Sequence, residues 1–192
     1  MPITFPVPAP LRLLLRALAL LSFSALIAAC AGVKPQAYEQ AKPTLDLEAY
    51  FDGPLKAWGM FEDRKGQVVR RFTVDIVGTW RNGVGTLEED FVYDDGETER
   101  RVWTIAKGVD GRYTGTADDV IGEANGQASG NALNWTYTLA LPVGDSVYNV
   151  KLDDWMYLID DRVMINRATM SYFGFRVGEV TITFYKDRST AQ

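Results

Sequence analysis

The run Val68-Val69-Arg70-Arg71-Phe72-Thr73-Val74-Asp75-Ile76-Val77-Gly78-Thr79-Trp80, continuing through Arg81-Asn82-Gly83-Val84 to Leu87-Glu88-Glu89-Asp90-Phe91-Val92-Tyr93, decides the fold. Val68, Arg70, Phe72, Val74, Ile76, Gly78 and Trp80 fall on one face, and Val69, Arg71, Thr73, Asp75, Val77 and Thr79 on the other. That two-residue period is the mark of a strand with one buried face. Asn82-Gly83 supplies the left-handed residues of a tight hairpin. A two-residue turn there sets Gly78 opposite Leu87, Val74 opposite Phe91, Phe72 opposite Tyr93 and Ile76 opposite Glu89. Glu89 then stands in an apolar row.

The same grammar extends in both directions. Leu133, Trp135, Tyr137, Leu139 and Leu141 alternate with polar Asn134, Thr136 and Thr138. Turn pairs recur at Lys65-Gly66, Asp95-Gly96, Asp110-Gly111, Asn125-Gly126, Gly130-Asn131, Gly144-Asp145 and Asp160-Asp161. Hairpins this close together pair sequence neighbours antiparallel, because parallel strands need longer crossovers. The expected fold is all-β: an up-and-down antiparallel meander of about eight to ten strands. Closure into an up-and-down barrel is expected over an open sheet, because closure removes exposed edges. Between Leu47 and Lys186 no window carries a helical period, and the five Trp (58, 80, 103, 135 and 155) are expected to face the core.

A two-residue turn at Asp160-Asp161 sets Leu158 opposite Val163, Met156 opposite Ile165, Leu152 opposite Thr169 and Asp154 opposite Arg167. An acid and a base would then meet in an apolar row, as a structural pair or as a polar contact for a ligand. A one-residue slip would instead send them to the solvent face as ordinary cross-strand pairs.

The N-terminal end reads as an address. Arg12 and Arg16 precede or interrupt an apolar run from Leu13 to Ile27, too short for a comfortable spanning helix. It ends in Leu26-Ile27-Ala28-Ala29-Cys30, which resembles the bacterial lipobox, with Cys30 as the lipidated new N-terminus. The expected organisation is a signal peptide over 1–29, lipidated Cys30 with a flexible tether over 30–46, and a β-barrel domain over 47–192. Ala31 after the Cys, in place of Asp, resembles the outer-membrane sorting pattern of enterobacterial lipoproteins. The expected location is the cell envelope, anchored in the outer membrane and facing the periplasm.

The 192-residue chain has no His and one Cys, which excludes serine-histidine triads, cysteine-histidine proteases and Cys- or His-based zinc sites. Loss of residues 1–29 leaves 18 basic and 25 acidic residues, a balance that disfavours nucleic acid and anionic lipid head groups. Gly122 to Gly130 lacks both the Lys of a phosphate loop and a following helix. Acidic doublets such as Asp118-Asp119 and Asp153-Asp154 point to opposite faces of a strand, and none has the spacing of a calcium loop. No cofactor and no metal is expected.

Leu47-Glu48-Ala49-Tyr50-Phe51-Asp52-Gly53-Pro54-Leu55-Lys56-Ala57-Trp58-Gly59-Met60-Phe61, Arg70-Arg71-Phe72 and Leu87-Glu88-Glu89-Asp90-Phe91 occur in order. Asp153-Asp154-Trp155-Met156-Tyr157 and Arg167-Ala168-Thr169-Met170-Ser171-Tyr172-Phe173-Gly174 follow them. Together they resemble the bacterial lipoproteins grouped as domain of unknown function 3833. The resemblance implies a lipid-anchored envelope protein with a lipocalin-like barrel, and it carries no activity onto these residues.

Three functions fit. The first is a binding module that holds a fatty-acyl or other apolar ligand inside the barrel, with Glu89, Trp135, Tyr137, Asp154, Met156, Arg167 and Met170 as the candidate ligand-binding residues. The second is a structural or assembly partner that docks another envelope protein through an exposed barrel face. The third is an enzyme using Glu89, Asp154 and Arg167; the expectation is that the chain is not one.

Overall fold

The computed structural model describes residues 32–187, so Cys30 and the signal segment lie outside the described residues. A short helix, α1 (Leu47–Phe51), precedes ten strands. They are β1 (Gly53–Asp63), β2 (Val68–Arg81), β3 (Val84–Tyr93), β4 (Thr98–Lys107), β5 (Arg112–Thr116), β6 (Ala124–Ser129), β7 (Ala132–Val143), β8 (Ser146–Leu158), β9 (Val163–Tyr172) and β10 (Phe175–Tyr185). Each pairs antiparallel with its sequence neighbours, and β1 pairs with β10 to close the barrel. Inward side chains from the strands share one core, from Phe72 and Ile76 through Leu133 and Trp135 to Met164 and Phe184.

The β2–β3 hairpin has the expected register. Phe72 faces Tyr93, Val74 faces Phe91, Ile76 faces Glu89 and Gly78 faces Leu87. Asn82 and Gly83 take positive φ of 52° and 75°, as the tight turn requires.

The β8–β9 register differs from the expected one by a single residue. Asp154 faces Ala168, Arg167 faces Trp155, and Met156 faces Asn166. The Asp160 carboxylate accepts hydrogen bonds from the backbone N–H groups of Arg162 and Val163, each at 2.8 Å, and so lengthens the connection. With a period of two, that one residue sends Arg167 out and brings Asn166 in. The expected Asp154–Arg167 pair therefore does not form.

Three further expectations are corrected. Asn125-Gly126 is inside β6, not a turn. Gly126 is there because Trp135 lies on it; a Cβ would stand 2.2 Å from the indole ring. Trp58 and Trp155 face outward, and only Trp80, Trp103 and Trp135 are buried. Last, much of the expected tether is packed: Pro35–Tyr38 forms a 3₁₀ turn, Tyr38 sits 5.8 Å from the Trp155 ring and 5.5 Å from the Tyr157 ring, and Leu45 is buried with its N–H on the Gly130 carbonyl at 2.8 Å. Trp155 and Tyr157 thus hold an Ala/Lys/Gln/Pro stretch whose composition alone reads as linker.

Helix α1 plugs the end of the barrel where β2 turns into β3. Asp46 caps it by accepting from the Glu48 N–H at 3.1 Å. Leu47, Tyr50 and Phe51 are buried. Gly78 lies beneath the Phe51 carbonyl, where a Cβ would come within 1.6 Å of the oxygen. At the C-terminal end of α1, Lys186 Nζ donates to the carbonyls of Ala49, Tyr50 and Asp52 at 2.9, 2.9 and 2.7 Å. A cation there satisfies carbonyls that a helix end leaves free. So short a helix lacks the two turns that a periodic pattern needs to be read.

Candidate functional site

A cavity of about 440 Å3 runs along the barrel interior from Leu47 and Phe51 of α1 to Glu97 and Pro142 at the other end. One wall is apolar and includes Phe61, Phe72, Val74, Val180 and Ile182. The other carries a polar track on β2, β3, β4, β7, β8 and β9, together with the β3–β4 and β5–β6 connections.

At the open end, Arg70 bonds Asp95 at 2.8 Å and also Glu97, and its guanidinium lies 3.6 Å from the centre of the Tyr93 ring. The Tyr93 hydroxyl donates to Glu99 at 2.7 Å. Arg101 bonds Glu99 at 3.2 Å and Asp119 at 2.7 Å. Deeper in, Glu89 is directly across the ladder from Arg101, and Asp154 accepts from the side-chain amide of Asn166.

Burial controls the electrostatics. Desolvation pushes the Glu89 carboxyl up to about 7; Arg101 pulls it down, and Asp119 and Glu99 push it further up. Desolvation also pushes Asp154 up to about 7, against the Asn166 hydrogen bond and with help from Asp153 and Glu89. Burial opposes the charge on Arg101, but Glu89 and Asp119 outweigh it and raise its pKa. Burial, then Asp154, raises the Tyr137 hydroxyl well above its ordinary value.

Of the residues singled out from sequence, Glu89, Trp135, Tyr137, Asp154, Met156 and Met170 line this cavity. Arg167 does not: it is on the outer surface, bonded to Glu179 of β10 at 2.7 Å. Sequence reasoning missed Arg101, Asp119 and Asn166. The first was within reach, because Glu99 and Arg101 share the parity of Trp103 and Ile105 on β4. Asp119 is in a connection with no periodicity. A perturbed carboxyl pair in a cavity can bind donors or exchange protons; among the described residues no cluster of His, Cys, Asp and Glu is arranged to hold a metal ion.

Among solved structures, the chain is similar to a protein of unknown function from the DUF3598 family of Nostoc punctiforme. The TM-score is 0.53 at 11% identity, over 77% of this chain and 51% of the other, so this chain spans about half of that protein's length. It is also similar to the S-type phycobiliprotein lyase CPES from Guillardia theta, with a TM-score of 0.53 at 8% identity over 76% of this chain and 95% of that one. At these identities the likeness is one of fold. No curated protein matches the sequence. Residues 24–186 match the family described as protein of unknown function (DUF3833), and the chain belongs to that family.

Proposed function

We propose that this protein is a lipid-anchored envelope protein whose lipocalin-like barrel binds a small, largely apolar ligand such as a fatty-acyl chain, and that it is a binder and not an enzyme. The observation that carries this reading is the cavity of about 440 Å3, which is within the range of small-molecule sites and has an aromatic and aliphatic wall beside a few buried polar groups. Leu26-Ile27-Ala28-Ala29-Cys30 supports the anchor, and Ala31 supports placement in the outer membrane facing the periplasm. The outward face supports a barrel standing in water, because charged pairs such as Lys56–Asp75 and Arg100–Asp90 lie along it, where a membrane-embedded barrel carries an apolar band.

The test is mass spectrometry of solvent extracts from the full chain purified out of membranes. Recovery of one class of apolar molecule in near-equal amount to protein supports the reading; an empty protein that also takes up no added acyl compound overturns it. For the anchor, Cys30→Ser is expected to abolish acylation and leave the chain with its leader uncleaved, read by mass spectrometry of the purified protein.

A second reading is favoured by the open rim, where Phe173 and Phe175 are 83% and 76% exposed near exposed Val143 and Val147. There the protein is an assembly partner that docks another envelope protein. Stoichiometric crosslinking of one protein to the rim, lost in F173S/F175S, supports it.

A further inference from the structure

The polar track is unbalanced. Five carboxyls, those of Glu89, Glu97, Glu99, Asp119 and Asp154, line the cavity among the described residues, against two guanidiniums, Arg70 and Arg101. Both guanidiniums are already engaged: Arg70 by Asp95 and Glu97, Arg101 by Glu99 and Asp119. No further cation lines the cavity among the described residues to bond Glu89 and Asp154.

Arg70 Nε, at the open end, is a buried donor without a partner among the described residues, but deeper in, around Glu89 and Asp154, the unused hydrogen-bonding capacity is mostly that of acceptors. Glu89, only 9% exposed, receives no hydrogen bond among the described residues, and Asp154 receives one, from Asn166. The Asn166 side chain is 1% exposed, and with its nitrogen on Asp154 its carbonyl oxygen has no partner among the described residues. One oxygen of Asp119 is likewise buried without one. These are acceptors, and an acceptor out of water is costly until a donor reaches it. A fatty-acid carboxylate would add a sixth acid and supply no donor.

Resting on the binding reading above, we propose that the occupant is an amphiphile with a cationic, hydrogen-bond-donating nitrogen, which sits against Glu89, Asp154 and the Asn166 carbonyl while its hydrocarbon lies along the Phe72–Val74 wall. The ammonium supplies the missing charge and up to three donors, and the apolar wall takes the chain. Groups facing Glu89 are Arg101 and Glu99 from β4, Asp119 from the β5–β6 connection, Tyr137 from β7 and Asp154 from β8. Those facing Asp154 are Asn166 from β9, Tyr137 from β7, Glu89 from β3 and its own neighbour Asp153. Arg101 is the one cation in this set.

The test is titration of the full chain at pH 8 with decylamine, decanol and decanoate, followed by the emission of its tryptophans, two of which, Trp103 and Trp135, line the cavity. The unaltered chain is expected to bind decylamine at least tenfold more tightly than decanoate, with decanol between. E89Q/D154N, with its fold checked by circular dichroism, is expected to bring that ratio below threefold, and R167Q on the outer surface to keep it. Decanoate binding as tightly as decylamine overturns the head-group assignment and leaves the binding reading standing, as does a folded E89Q/D154N that keeps the full preference. If none of the three binds, both fall. The comparison in the unaltered chain decides the matter even if the double variant does not fold.

Discussion

Asn166 donates its side-chain amide to Asp154 across the β8–β9 pair, deep inside the barrel. Among the described residues that contact is the one hydrogen bond favouring the ionised Asp154 carboxylate against the pull of burial. Asn166→Ala is therefore expected to move the Asp154 titration above about 7 and to cost about 1–3 kcal/mol of stability. Carboxyl-detected NMR across the pH range measures the first and urea unfolding the second; an unmoved titration would contradict the assigned contact.

Glu89 and Asp154 make stability depend on pH. Both titrate near 7 in the folded chain, against 4.5 and 3.8 for the free groups. Raised values mean that the fold keeps protons which the unfolded chain has lost. Their contribution is full below about pH 4 and is lost as the pH rises to about 7. E89Q/D154N is expected to differ little from the unaltered chain at pH 4 and to exceed it at pH 8 by several kcal/mol, with about 8 kcal/mol the ceiling for two groups acting independently. Urea midpoints at pH 4, 6 and 8 test this, and a difference constant with pH sinks it.

Gly78 allows α1 to lie across the barrel end, since a Cβ there would stand 1.6 Å from the Phe51 carbonyl oxygen. Gly78→Ala is expected to lift the helix, cost about 1–3 kcal/mol and speed amide exchange at Tyr50 and Asp52, whose N–H groups bond back to Asp46 and Glu48. Unchanged exchange would show that the strand, not the helix, gives way.

Lys186 joins the far end of the chain to α1 through three carbonyls. Lys186→Met keeps the apolar stem and removes the donors. It is expected to cost about 1–2 kcal/mol and to loosen α1 ahead of the strands, as read by hydrogen exchange along the chain.

How much of this is legible in the sequence depends on turns. Asn82-Gly83 closes a two-residue hairpin, so the placement of Glu89 among Ile76, Val74 and Phe91 follows from counting. Asp160-Asp161 has the same outward form, but the Asp160 carboxylate binds two backbone N–H groups and adds a residue to the connection, which no alternation on either strand reveals. Met170 holds the clue: a β9 with Met170 inside also has Asn166 inside and Arg167 outside. The docking of Tyr38 on Trp155 and Tyr157 is a contact between distant segments and leaves no local pattern.

The plug formed by α1, with Leu47 and Phe51 at the floor of the cavity, covers that end of the barrel among the described residues and leaves the Glu97 and Pro142 end as the way in. For a ligand bound as proposed, an arriving molecule has to wait for the resident to leave, so the rate of replacement is set by the resident's own departure and does not rise with the concentration of its competitor.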